Sequence, residues 1–212
     1  TQITDGGVVY SKVQLNRALP KGYFTATFPF DYNISVIPNA FVAQLELVTH
    51  NKHDGYTLYF KKVTDGVMQP NQPYVLYMPF EITNAEWGET AISSPEEQSV
   101  SKNGWTMRAN YTPGVSMEGM YGIAGGKLRK GTAGSTINAY TAYFVPPTQT
   151  EVRVRVAIMN DSGQATFIDE VESESTDMEQ EVYTVDGKRV SGLQKGINIV
   201  RMKDGTVRKI WK

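Results

Sequence analysis

Two histidines three residues apart, His50 and His53 in "THNKHDG", are the first residues whose type and spacing could do chemistry. On a helix they could share a metal ion. The segment ends in Asp-Gly between β-like runs and offers no third ligand, so it reads as a solvated hairpin turn. The glycine-rich, basic stretch "YGIAGGKLRKGTAGS" suggests a phosphate cradle. It fails the G-x-x-x-x-G-K-[ST] pattern twice, with Tyr121 at the first glycine position and Leu128 after Lys127, and reads as turns joining strands. Glu86, Glu89, Glu96, Glu97 and Glu118 could supply a glycosidase pair only if two stood roughly 5–10 Å apart across a sugar. They sit in polar stretches and read as solvated surface. No G-x-S-x-G elbow exists for acyl transfer. No catalytic, metal-ligating or cofactor-binding set emerges, and the expectation is a non-enzymatic protein without a cofactor.

Aromatic residues are the remaining candidates. Trp87, Trp105, Tyr111 and Tyr121 gather in 85–125, the region with the weakest strand pattern. Exposed on loops, their flat faces would stack on sugar rings or on a protein partner. The alternative is that they are ordinary core residues of a β-sheet protein. Asn-x-Ser/Thr triplets at Asn33, Asn110 and Asn160 are no more than chance provides.

The elements that must position these residues are strands. Short alternating runs bounded by turn residues recur: "GYFTATFPF", "FVAQLELVTH", "GYTLYFKKV", "PYVLYMPFEI", "WTMRANY", "AYTAYFV" and "EVRVRVAIM". In the last, Val152, Val154 and Val156 would face one way and Arg153 and Arg155 the other. Asp-Gly at Asp5, Asp54, Asp65, Asp186 and Asp204, with Asn103-Gly104, supplies the positive φ angles that tight hairpins need. The expected fold is all-β, an antiparallel sandwich or barrel followed by a small C-terminal strand module. Residues 61–79 and 127–146 echo each other, each passing from a basic strand through a turn and polar connector to Tyr-x-x-Tyr. That is either a duplicated hairpin or the ordinary recurrence of strand and turn.

Charge divides the chain. Residues 1–168 carry 13 basic and 13 acidic side chains, 169–181 seven acidic and none basic, and 182–212 eight basic and two acidic. The expected organisation is a β-sandwich domain over 1–168, an acidic linker over 169–181 and a small β tail over 182–212. The net charge of -1 invites neither nucleic acid nor an anionic membrane. No apolar run reaches the ~20 residues of a membrane-spanning helix. With no cysteine, disulfides and thiolate chemistry are absent. Thr1 reads as a processed or engineered start, with natural chain upstream.

The tail phrases "VYTVDGKRV", "KGINIV" and "VRKIWK" resemble the C-terminal sorting domains of proteins exported by the type IX system of Bacteroidetes. Val185, Asp186, Gly187, Lys188, Val190, Lys195 and Gly196 carry the likeness; Asn198 and Trp211 depart from it. The phrases "GYFTATFPFDYNI", "VTDGVMQPNQPYVLYMP" and "YGIAGGKLRKGTAGSTINAYTAYFVP" resemble secreted β-rich modules that precede such tails, including those of surface adhesins. The resemblance implies a secreted or cell-surface location on the outer-membrane exterior, and a non-catalytic role in adhesion. It also implies export or attachment machinery as the tail's partner. Host or glycan ligands would meet the body. A carbohydrate-binding or carbohydrate-active accessory module using the exposed aromatics is the alternative.

Overall fold

The computed structural model describes all residues except 1, 5–6, 53–54, 148–152, 161, 172–180, 185–187, 191–194, 196, 202–206 and 212. Its secondary structure is nearly all strand, and the one helical turn among the described residues is the 3-10 turn Ile34–Val36. Two units divide the chain, Thr1–Ser173 and Glu174–Lys212.

In the first unit, four strands follow a leading arm: β1 (Gly22–Ala26), β2 (Phe41–Asn51), β3 (Gly55–Lys62) and β4 (Tyr74–Met78). A second sheet comes next, from β5 (Ser99–Lys102), β6 (Trp105–Asn110), β7 (Tyr121–Ala124), β8 (Lys127–Lys130) and β9 (Thr141–Val145). The chain then returns to the first sheet with β10 (Val154–Met159) and β11 (Ala165–Val171). The sheet orders are β11-β10-β3-β2-β4-β1 and β5-β6-β9-β7-β8.

Alternating side chains give the two sheets a shared core. Val75, Leu45, Leu58 and Phe60 from the first sheet pack with Trp105, Met107, Tyr121 and Phe144 from the second. In β2 the alternation changes phase: Leu45 and Val48 are buried while Glu46 and Leu47 are exposed. A bulge accounts for it, since the register with β3 shifts between Leu45 and Leu47 and leaves one extra residue unpaired. The first sheet is covered on its other face too. Phe24, Val42, Tyr74, Leu76 and Met78 point into a second core with Leu19, Phe28 and Ile34. The leading arm closes it, through pairs of Val13–Gln14 with Glu86–Trp87 and of Gly7–Tyr10 with Thr90–Ile92.

Every Asp-Gly or Asn-Gly dipeptide except Asp65-Gly66 joins strands that pair antiparallel. Asn103 and Gly104 both take positive φ, 45° and 79°, as a two-residue hairpin of this handedness needs. One pairing departs from the antiparallel expectation. Strand β10 runs parallel to β3, with Val154 beside Tyr56 and Met159 beside Lys61, because it returns only after the second sheet has been built. Lying between β3 and β11, it buries Val154, Val156, Ala157 and Ile158, so its later half is apolar on both faces.

The echo between 61–79 and 127–146 belongs to a larger repeat. Strands β1, β2, β3 and β4 form the order β3-β2-β4-β1, and β6, β7, β8 and β9 form β8-β7-β9-β6, the same arrangement in the same chain order. Each set carries a two-residue ribbon at the same place, Tyr32–Asn33 with Val67–Met68 and Val115–Ser116 with Thr136–Ile137. Local hydrogen bonds correspond. Ile34 N donates to Gly66 O as Met117 N donates to Ser135 O, and Gly66 N to Val63 O as Ser135 N to Thr132 O. This register matches Asn71 to Tyr140, both at positive φ. Tyr74 therefore corresponds to Tyr143, and the likeness between the two Tyr-x-x-Tyr strings is out of register with the structural repeat.

Two expectations change in detail. Region 85–125 holds β5, β6 and β7 rather than mainly connector, since Trp105, Met107 and Ala109 alternate inward along β6. The domain boundary moves beyond 168: β11 continues through Val171 because its backbone pairs with β10, Val154 against Val171. Backbone pairing at a sheet edge does not require apolar side chains, and charge there is a common feature. Most of the expected linker, 172–180, lies outside the described residues.

The second unit is a four-stranded antiparallel sheet in the order Arg189–Val190, Glu181–Thr184, Ile197–Arg201, Val207–Trp211. Between the strands Glu181–Thr184 and Arg189–Val190, Thr184 N donates to Lys188 O at 2.9 Å.

Candidate functional site

A cleft of about 400 Å³ opens where edge strand β1 meets the β7–β8 hairpin and the connector 131–141. Its cationic residues are Arg17 from the leading arm and Arg129 and Lys130 from β8. No carboxylate lines it among the described residues. The salt bridges found among those residues, Lys12 to Glu86 at 2.8 Å and Arg108 to Glu97 at 3.4 Å, leave the cleft cations out.

Each cation is held by the fold. Arg17 Nη2 donates to Tyr140 O at 2.8 Å, while Arg17 Nε is buried with no hydrogen-bond partner. Burial draws the Arg17 guanidinium below the ordinary arginine range. Arg129 Nε donates across its hairpin to Ala124 O at 3.3 Å. That hairpin turns through Gly125 and Gly126, at φ 61° and 75°. Lys130 Nζ stands 5.9 Å from the centroid of Tyr121. Tyr140 itself is a non-glycine residue at φ 58°, a conformation that persists in a bulky residue only when its surroundings impose it.

The four aromatic candidates do not converge on one surface. Trp105 is fully buried and Tyr121 is 4% exposed, both in the core between the sheets. Their rings are therefore closed to a ligand. Trp87 is half-buried, 5.0 Å from Phe30 and 5.2 Å from Tyr32 by ring centroids, and borders a smaller recess of about 240 Å³. Tyr111 turns its hydroxyl inward, donating to Asn71 Oδ1 at 2.8 Å and lying 3.2 Å from Thr27 Oγ1. Asn71 in turn donates to Ser94 O and accepts from Glu96 N, so Tyr111 belongs to a polar strut.

That strut gives a pH prediction. Burial raises the Tyr111 hydroxyl from its ordinary 10.0 to about 12; the Thr27 hydrogen bond opposes the shift and Tyr140 adds to it. Below pH 10 the stabilisation is fully present. Above it the unfolded chain ionises first, so stability falls as pH rises towards about 12. Burial also raises Tyr23, Tyr32 and Tyr74 and adds to the same loss. Tyr111→Phe should destabilise by about 0.5–1.5 kcal/mol near neutrality and flatten the alkaline decline. Denaturant unfolding across this range checks it, and an unchanged slope would refute the assignment.

The other candidates are dispersed. His50 packs against Tyr56 with centroids 4.4 Å apart and ring planes tilted by 39°, and His53 lies outside the described residues. Glu86, Glu89, Glu96, Glu97 and Glu118 are all exposed. No group of three or more His, Asp or Glu among the described residues could hold a metal ion. Asn110 is buried and donates to Thr112 O and Asn138 O, which closes that triplet to modification. In the tail, Lys188 and Lys195 are exposed and Val190 is half-buried; Val185, Asp186, Gly187 and Gly196 lie outside the described residues. No helix among the described residues is long and apolar enough to cross a membrane.

The sequence reading assigned a site role to none of the residues that line this cleft. The stretch "YGIAGGKLRKGTAGS", read from the sequence as turns joining strands, supplies two of the three cleft cations, Arg129 and Lys130. Arg17 carried no local signal, because only the fold brings it across to Tyr140. Comparison with protein-family models, curated proteins and solved structures finds no match for the chain.

Proposed function

We propose that the chain is a non-catalytic, adhesin-like module of a bacterial cell surface or secreted fraction, with its last strands serving export or attachment. The observation that carries this reading is the partition of the chain into a large double-sheet unit and a separate small one, Glu174–Lys212. A sheet of four strands, each two to five residues long, buries little apolar surface and gains most by docking on a receptor. The acidic stretch 169–181 spans the boundary between the two units, and the eight basic residues of 182–212 that follow set the end of the chain chemically apart. Export or attachment machinery would then read the tail while the body meets the ligand.

Deleting 181–212 in the native host and fractionating the cells tests the reading. The truncated protein should be lost from the surface and accumulate inside the envelope; an unchanged surface level would overturn it. The alternative, a carbohydrate-binding module that uses exposed aromatics, keeps only Trp87 beside a recess.

A further inference from the structure

We propose that the basic cleft binds an acidic sugar unit, one or two rings bearing a carboxylate or sulfate, with Arg17, Arg129 and Lys130 holding the anionic group. The site does not depend on where the protein resides.

Three arguments converge. The first is electrostatic. Three cations share about 400 Å³ with no lining carboxylate among the described residues. Like charges gathered this way repel one another, and a bound anion relieves that repulsion while gaining charge-assisted hydrogen bonds.

The second argument comes from the repeat. Ile34 and Met68, fully buried in the second core, correspond to Met117 and Ile137. Met117 and Ile137 instead line the cleft. Met117 stays buried at 6% exposed while Ile137 is half-buried, so a position that the first half of the unit seals completely is partly open in the second half and has cations beside it. Ligand sites are commonly built this way, from a partly open apolar position with a few polar groups converging on it.

The third is size and chemistry. A cleft this small suits one or two sugar rings better than a folded partner. Its wall mixes the exposed, apolar Pro20 with the polar Thr136 and Asn138, which suits a ring whose C–H face and hydroxyls both need contacts.

Calorimetry on the full chain tests the inference, with a heparin-derived tetrasaccharide, trigalacturonate, maltotriose, inorganic sulfate and a glutamate hexapeptide as probes. At least one of the two acidic oligosaccharides should bind, more weakly at higher salt. Which of them binds separates a sulfated source from a uronic one. Maltotriose, sulfate and the peptide should each bind at least about ten-fold more weakly. Arg17→Gln, Arg129→Gln and Lys130→Gln should each weaken binding about ten-fold, as loss of one charge-assisted bond implies. Lys61→Gln, outside the cleft, should not. Arg129 is exposed and Lys130 half-buried, so their variants keep the test decisive if Arg17→Gln fails to fold. Equal binding of maltotriose or of the peptide, no binding of either acidic oligosaccharide, or full binding by the Arg129→Gln/Lys130→Gln double variant would overturn the inference.

Discussion

Trp105→Ala should lower the unfolding free energy of the 1–173 unit by about 3–5 kcal/mol, the range for removing a large buried aromatic. Trp105 starts β6, is wholly buried, and has ring centroids 5.6 Å from Tyr56 of the first sheet and 5.4 Å from Tyr121 of the second. Its removal therefore opens a void at the seam of the sandwich, where close-packed neighbours relax only partly. Trp105 Nε1 is buried without a hydrogen-bond partner, and such an orphan donor costs about 1–3 kcal/mol. Trp105→Phe removes that donor along with part of the ring, so the two terms oppose and its loss should be under about 2 kcal/mol. Urea unfolding of both variants checks the ranking. A Trp105→Ala protein within about 1 kcal/mol of the parent would mean that the two sheets do not share this core.

Gly55→Ala should be the most damaging small substitution, at about 2–5 kcal/mol. Two terms contribute. Gly55 sits at φ +72°, where a Cβ costs roughly 1–2 kcal/mol. The Cβ would also stand 2.1 Å from Arg153 O, a backbone atom that cannot swing away. That carbonyl accepts from Tyr56 N at 2.9 Å, so relieving the clash pulls the start of β10 away from β3 and adds overpacking strain of about 1–3 kcal/mol. Gly125→Ala is the matched control: its φ is +61°, but no atom lies within 4 Å of the added Cβ. Only the conformational term applies there, and the difference between the variants isolates the parallel β3–β10 contact. Equal losses in thermal or denaturant unfolding would show that β10 does not dock as described.

Several outcomes were legible in the residues because they depend on neighbours in the chain. Period-two alternation places Trp105, Met107 and Ala109 on one face of a strand whatever that strand packs against. Asn103-Gly104 favours a tight hairpin through backbone preferences alone. The charge blocks at 169–181 and 182–212 are properties of composition. The aromatic candidates show the limit of this reasoning. Nothing local distinguishes a ring that stacks on a ligand from one that fills a core, and Trp105, Tyr111 and Tyr121 turned inward.

What the chain alone determined is therefore its all-β character, most of its hairpins and the charge asymmetry of its end. Those follow from steric preferences and hydrophobic periods acting over a few residues. Tertiary structure alone decided the parallel return of β10, the repeat of one strand order in both sheets and the meeting of Arg17 with Arg129 and Lys130 in a single cleft. Each joins residues far apart in sequence, and partners so distant are chosen by which buried faces and backbone edges remain open once the nearer strands have paired.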